Sequence, residues 1–199
     1  MTFHQCVNLS RVASEKAVSF TPPDGEFELM KYRVTDDVNL PFKVMPLIRE
    51  VGRSRIEATV KIRAAGFSSA LAATGVILRL PVPSHTARAT ITVTGGKAKY
   101  KVEGNCLVWK IKRFPGQAEM QMTADVELSS TLADKKVWAR PPISMEFQVP
   151  MFTSSGLKVR FLKVWEKSGY PTVKWVRYLS RSGEQGVPGS YEVRITDAS

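Results

Sequence analysis

Lys97, Lys99, Lys101, Lys110 and Lys112 are the residues of this chain whose type and spacing point most directly to a chemistry. Ammonium groups gathered on one surface bind anions. Side chains in a β-strand alternate between faces, so Lys97, Lys99 and Lys101 share one face while Ala98 and Tyr100 take the other. Lys110 and Lys112 oppose Leu107, Trp109 and Ile111 in the same way. With Lys101 opposite Cys106 and Val102 to Asn105 as a loop around Gly104, Lys99 faces Val108 and Lys97 faces Lys110. In that register the lysines fall on one face, and Tyr100, Leu107, Trp109 and Ile111 fall on the other, where they can bury. A one-residue slip would mix the two sets, so burial selects the register. Like charges directly across a strand pair are destabilising. The ribbon therefore reads either as a surface that meets an anion or as a solvated face that keeps the protein soluble.

Catalytic chemistry has little to draw on. His4 and His85 are the only histidines, and no Cys or His spacing suggests a zinc site or another metal. Gly95-Gly96-Lys97 lacks the upstream glycine and the following hydroxyl residue of a phosphate loop. Asp24 and Glu26 flank the glycine of a turn, where carboxylates are ordinarily solvated. No catalytic residue and no cofactor is assigned, and the expectation is a protein that is not an enzyme. Binding of single-stranded nucleic acid needs aromatic rings on the face that carries the cations. Tyr100 and Trp109 fall on the opposite face, so nucleic acid is the weaker reading of the charge.

The elements that must position these lysines read as strands. Ile56 to Arg63 places an apolar residue at every even position, and Met120 to Leu128 does the same, as half-buried antiparallel strands do. Further strands are expected at Phe27 to Arg33, Leu40 to Met45, Val76 to Leu80, Ala89 to Thr94, Ser144 to Val149, Leu157 to Val164, Val173 to Leu179 and Tyr191 to Ile195. Ser68 to Thr74 has the composition of a short helix or a loop. Pro22-Pro23-Asp24-Gly25, Pro81-Val82-Pro83 and Arg140-Pro141-Pro142 mark turns. The fold class is all-β, an antiparallel sandwich, and Pro46 and Pro150 flank a strand-rich middle that suggests one lobe inserted into another.

At 199 residues with 43% hydrophobic content the chain can bury a core, and its formal charge of +11 favours acidic partners: nucleic acid, anionic lipid or acidic peptides. The start Met1-Thr2-Phe3-His4-Gln5-Cys6 lacks the charged and apolar regions of a signal peptide, and no run has the length of a membrane span. Cys6 and Cys106 are the only cysteines, which fits buried thiols in a reducing, cytosolic compartment.

The whole chain resembles the carboxy-terminal mu-homology domain of the medium (mu) subunits of clathrin adaptor complexes. The likeness is carried by Thr2-Phe3-His4-Gln5-Cys6-Val7, Pro22-Pro23-Asp24-Gly25-Glu26-Phe27-Glu28-Leu29, Gly96-Lys97-Ala98-Lys99-Tyr100-Lys101, Val108-Trp109-Lys110-Ile111-Lys112-Arg113, Trp138-Ala139-Arg140-Pro141-Pro142-Ile143, Ser155-Gly156-Leu157-Lys158-Val159-Arg160 and Lys174-Trp175-Val176-Arg177-Tyr178. It is most like the branch found in the plasma-membrane adaptor complex 2. The resemblance implies an elongated, two-lobed β-sandwich, with a first lobe from 1–44 and 149–199 and an inserted second lobe at 45–148. It implies that Lys97, Lys99, Lys101 and Lys110, with Lys112 beside them, bind phosphatidylinositol 4,5-bisphosphate. It implies that Val159, Leu162, Lys174, Trp175, Val176 and Arg177 bind Tyr-x-x-bulky apolar sorting signals in the cytosolic tails of transmembrane cargo, with Arg177 stacked on the tyrosine ring.

Other partners implied are the remaining subunits of a heterotetrameric adaptor and, indirectly, the clathrin coat, on the cytoplasmic side of the plasma membrane at coated pits. Family members carry, ahead of the segment matched by Thr2-Phe3-His4, first strands that supply an aspartate for the signal's tyrosine hydroxyl. This chain lacks them and is expected to bind tyrosine signals weakly or not at all, since a buried hydroxyl without its partner costs roughly 1 to 3 kcal/mol. Two other readings remain: a medium subunit of a different adaptor complex at an internal membrane, and a basic β-domain that binds nucleic acid.

Overall fold

A computed structural model describes residues 1–15, 17–129, 138–164, 166–183 and 191–193. The chain divides into two units, Met1–Val38 and Asn39–Ser199. In the first unit β1 (Thr2–Phe3) pairs antiparallel with β2 (Met30–Lys31), and helix α1 (Leu9–Glu15) lies between them in sequence. Asn8 starts the helix by accepting the Ser10 N–H on its Oδ1 at 3.2 Å. Val7, which bridges to Phe20, is the buried apolar residue here, and the rings of Phe20 and His4 each meet Phe27 edge-on.

The second unit holds the strands that matter for the lysines. In chain order they are β3 (Lys43–Val51), β4 (Arg55–Arg63), β5 (Ala72–Pro81), β6 (Thr86–Val93), β7 (Lys97–Lys101), β8 (Cys106–Pro115), β9 (Glu119–Leu128), β10 (Ile143–Pro150), β11 (Leu179–Ser182) and β12 (Tyr191–Val193). One antiparallel sheet runs β11-β10-β5-β8-β7, with β12 also on β10; a second runs β3-β4-β9-β6. Alternation explains the packing. Ile56, Ala58, Val60 and Ile62 of β4 are buried between exposed Arg55, Glu57, Lys61 and Arg63, with Thr59 half-buried among them. Their sheet shares one core with Leu78, Leu80, Leu107, Trp109 and Ile111 of the other. The two sheets thus bury their inner faces together, and their outer faces look in opposite directions.

On β5 and β8 the alternation changes phase at one level of the sheet. Thr74-Gly75 and Lys112-Arg113 are consecutive exposed residues, and Thr74 lies opposite Arg113. Gly75 has φ +61°, a conformation open to glycine, and the β5–β8 register runs unbroken past it, so burial passes from one face of this sheet to the other at that level. Beyond it the opposed pair Ala73 and Phe114 is buried against Phe42, whose ring meets Phe114 at 5.3 Å, Phe147 at 5.0 Å and Phe67 at 5.6 Å. The Tyr191 hydroxyl donates to the Phe42 carbonyl and ties β12 to this cluster.

Several expected elements differ. Of Ser68 to Thr74, read as a short helix or a loop, Ser68 to Leu71 is a turn closed by the Leu71 N–H to the Ser68 carbonyl at 3.0 Å, and Ala72 to Thr74 already belong to β5. Phe27 to Arg33 contributes only Met30–Lys31 to a ladder, and the third strand runs from Lys43 to Val51 rather than from Leu40 to Met45. Leu157 to Val164 forms no regular strand, and Val173 to Leu179 enters one only at Leu179. Alternation marks a segment that could pair; the ladder itself needs a neighbour, and no described segment supplies one there. Of Tyr191 to Ile195, residues 194 and 195 lie outside the described residues. Among the described residues no helix is long and apolar enough to cross a membrane.

Candidate anion-binding face

The hairpin of β7 and β8 has the register that the burial pattern selects: Lys97 pairs with Lys110, Ala98 with Trp109, Lys99 with Val108, Tyr100 with Leu107 and Lys101 with Cys106. Leu107, Trp109 and Ile111 are buried, while Lys97, Lys99, Lys101, Lys110 and Lys112 are exposed. Among the described residues no carboxylate comes within ion-pair distance of any of these lysines. Their charge is left to solvent and to whatever anion approaches.

The ribbon is fixed from behind and at both ends. The Trp109 indole Nε1–H donates to the Gly95 carbonyl at 2.8 Å, so the ring that fills the core also holds the turn that delivers β7. Gly96 in that turn has φ +79°, and a Cβ there would lie 2.4 Å from the Lys110 carbonyl oxygen. Only glycine lets the turn pass so close to β8. At the other end Asn105, with φ 44°, closes the loop through its N–H to the Val102 carbonyl at 3.1 Å, and its own carbonyl accepts the Val82 N–H at 2.8 Å.

The sequence pattern does not show what fills the middle of the lysine face. Val108 shares that face and is only 2% exposed, between Lys99 on β7 and Arg79 on β5; long aliphatic stems cover apolar surface in this way while their charged heads stay in water. The face continues onto β5 and β10, where Arg79 is tied to Glu146 in a half-buried ion pair and adds no free charge. Cys106 also lies on it. Burial pushes the Cys106 thiol up from its ordinary value, with Arg79 and Lys101 pulling it less strongly the other way, which leaves it a poor nucleophile.

The other residues with chemical potential stand apart. His4 Nδ1 accepts the Cys6 N–H at 3.2 Å, and the His85 carbonyl accepts from the Ser129 N–H and hydroxyl. Asp24 and Glu26 are exposed, and Cys6 and Cys106 are free thiols. Among the described residues no group of His, Cys, Asp and Glu could hold a metal ion. Gly95-Gly96-Lys97 is a turn between strands of the two sheets, not a loop opening a helix. Val159 and Leu162 lie on one extended segment and Lys174, Trp175, Val176 and Arg177 on another, all exposed, with Trp175 at 71%. A hydrogen bond from the Val159 N–H to the Tyr178 hydroxyl at 2.8 Å links the segments, which share no ladder.

Comparison with known proteins places this geometry in a lineage. Residues 1–188 match the model of the adaptor complexes medium subunit family. An AP-2 complex subunit mu of Dictyostelium discoideum is 54% identical over 184 residues, which are 92% of this chain and 42% of that protein. Its counterpart in Caenorhabditis elegans is 50% identical over 186 residues, 91% of this chain and again 42% of the relative. The chain thus spans less than half the length of the relatives it matches. A chain in a homology model of the full-length AP-3 complex in an intermediate open conformation shares the fold, with TM-score 0.65 at 17% identity over 98% of this chain and 54% of that one. The chain belongs to the adaptor complexes medium subunit family.

Proposed function

We propose that the chain serves as the membrane- and cargo-facing part of a clathrin adaptor medium subunit in endocytosis, and that Lys97, Lys99, Lys101, Lys110 and Lys112 bind the headgroup of phosphatidylinositol 4,5-bisphosphate. The observation that carries this reading is the set of outward lysines, free of carboxylates among the described residues, on a hairpin held rigid by Trp109 and Gly96. Juxtamembrane lysines contribute about 1 kcal/mol each near an anionic surface. Several together give a reversible grip that salt weakens. The role asks for no catalysis. It puts the protein on the cytoplasmic side of the plasma membrane, in a heterotetramer with other adaptor subunits and linked through them to the clathrin coat. The names of the relatives, AP-2 complex subunit mu, support that assignment.

Sedimentation with phosphatidylcholine vesicles tests the lipid preference. The proposed role requires binding that depends on the bisphosphorylated lipid. Preference for another phosphoinositide would favour an adaptor of an internal membrane, and competition by single-stranded DNA would favour a nucleic-acid-binding domain.

Recognition of tyrosine sorting signals by Val159, Leu162, Lys174, Trp175, Val176 and Arg177 belongs to the same proposal. An extended peptide gains main-chain bonds from a strand edge and selectivity from side-chain pockets. The exposure of Trp175 and Arg177 and of the apolar Val159 and Leu162 supports it. The division into a first lobe of 1–44 and 149–199 and an inserted lobe of 45–148 is part of this reading, with the lipid site on the inserted lobe and the cargo site on the first. Calorimetry with a tyrosine-signal peptide tests the cargo site: this chain alone should bind it weakly, and micromolar binding lost on changing the tyrosine to phenylalanine would contradict that.

A further inference from the structure

We propose a second, separate recognition surface on the outer face of the four-stranded sheet, along edge strand β3, that takes an extended acidic segment of a partner protein whose docking face carries apolar residues between carboxylates. Three observations carry it. First, Lys43 pairs directly across the ladder with Arg63, and Lys61 lies two residues from Arg63 on the same face of β4. All three are exposed, and among the described residues none is in an ion pair. Like charges held opposite one another are destabilising; Glu119 of β9 faces Arg63 across the ladder without an ion pair to it, while Lys43 and Lys61 face no carboxylate. Second, the outer face of β3 continues from Lys43 through Met45 and Leu47 to Arg49, with Leu47 43% exposed, so apolar surface lies between cations. Third, β3 is an edge: it pairs with β4 on one side and, among the described residues, with nothing on the other. Pro46 sits within it, a residue that sheets tolerate at edges because it has no N–H to give a ladder.

Charge complementarity selects the occupant. Cations at Lys43, Lys61 and Arg63 call for carboxylates, the Met45 and Leu47 side chains call for apolar residues between them, and the open backbone of β3 calls for an extended chain. Orientation argues for a protein rather than a bilayer. The outer faces of the two sheets look in opposite directions, so with the β7–β8 lysines against a membrane this face is turned away from it. That one step rests on the lipid reading; the surface itself does not.

The probe is a short fluorescein-labelled peptide, Glu-Thr-Val-Thr-Val-Thr-Glu, whose one face sets two valines between glutamates, titrated with the full chain and followed by fluorescence anisotropy. The expected result is saturable binding that weakens severalfold on raising salt. It should fall by about tenfold or more in a Lys43→Glu, Arg63→Glu variant, and a peptide with proline at alternate positions should not bind. Vesicle sedimentation of that variant should match the parent, whereas a Lys97→Ala, Lys99→Ala, Lys101→Ala variant should keep the peptide and lose the vesicles. Absent binding, binding unchanged by charge reversal, or equal binding of the proline peptide would overturn the proposal. So would two other outcomes: loss of vesicle binding on charge reversal, which would make this a lipid surface, and self-association abolished by it, which would make the occupant a second copy. The salt titration of the parent chain keeps the test decisive if the variant is poorly folded.

Discussion

Two residues, neither of them a lysine, hold the lysine face in place. Trp109 fills the core and donates to the Gly95 carbonyl. Replacing it with alanine should cost about 3 to 5 kcal/mol, the range for a large buried aromatic. Phenylalanine keeps most of the packing and should cost less, with about 1 kcal/mol of the loss due to the missing hydrogen bond; urea denaturation of both variants checks the order. Gly96 has positive φ and no room for a Cβ, so Gly96→Ala should destabilise by about 1 to 3 kcal/mol, read as a lower midpoint in the same experiment. Tyr191, in the aromatic cluster around Phe42, contributes an alkaline pH dependence. Burial pushes its phenol above the ordinary tyrosine value, so its contribution to stability is complete below the unfolded pKa of about 10 and is lost as pH rises through the higher folded value. Tyr191→Phe should therefore be less stable at neutral pH, through loss of the bond to the Phe42 carbonyl, and less sensitive to alkali. A steeper alkaline loss in the variant than in the parent would contradict this.

At the scale of elements, legibility followed the number of constraints acting on each segment. The β7–β8 register could be read because charge and burial sorted the same residues: a slip would have buried lysines and exposed Trp109. The alternation from Ile56 to Arg63 and from Met120 to Leu128 could be read for the same reason, and both became central strands. Leu157 to Val164 alternates less cleanly and, like Val173 to Tyr178, has no ladder partner among the described residues; propensity on its own made no strand. Helix α1 escaped notice because it is a single short stretch with no buried residue, and its one signal was the cap at Asn8. Val108 escaped because alternation assigns it to the solvent side, and only the three-strand neighbourhood of Lys99, Val108 and Arg79 reveals that it is covered.

At the scale of the whole molecule, the all-β class was legible from recurring alternation between turn signals, and the chain forms β-sheets with one helix among the described residues. The assignment of strands to two sheets was not legible, because it depends on pairings between segments distant in sequence, such as β5 with β10. The phase change at Gly75 is likewise invisible without its partner strand, since it shows only when Thr74 and Arg113 are seen side by side. The formal charge of +11 favours acidic partners without choosing among them, and the β7–β8 hairpin gathers five of the cations on one outward face. The account as a whole rests on this face, and one comparison tests it most directly. Equilibrium sedimentation with vesicles containing phosphatidylinositol 4,5-bisphosphate, at fixed ionic strength, should lose binding when Lys97, Lys99 and Lys101 are changed to alanine, while thermal unfolding stays nearly unchanged. Sedimentation of that variant equal to the parent would contradict the account.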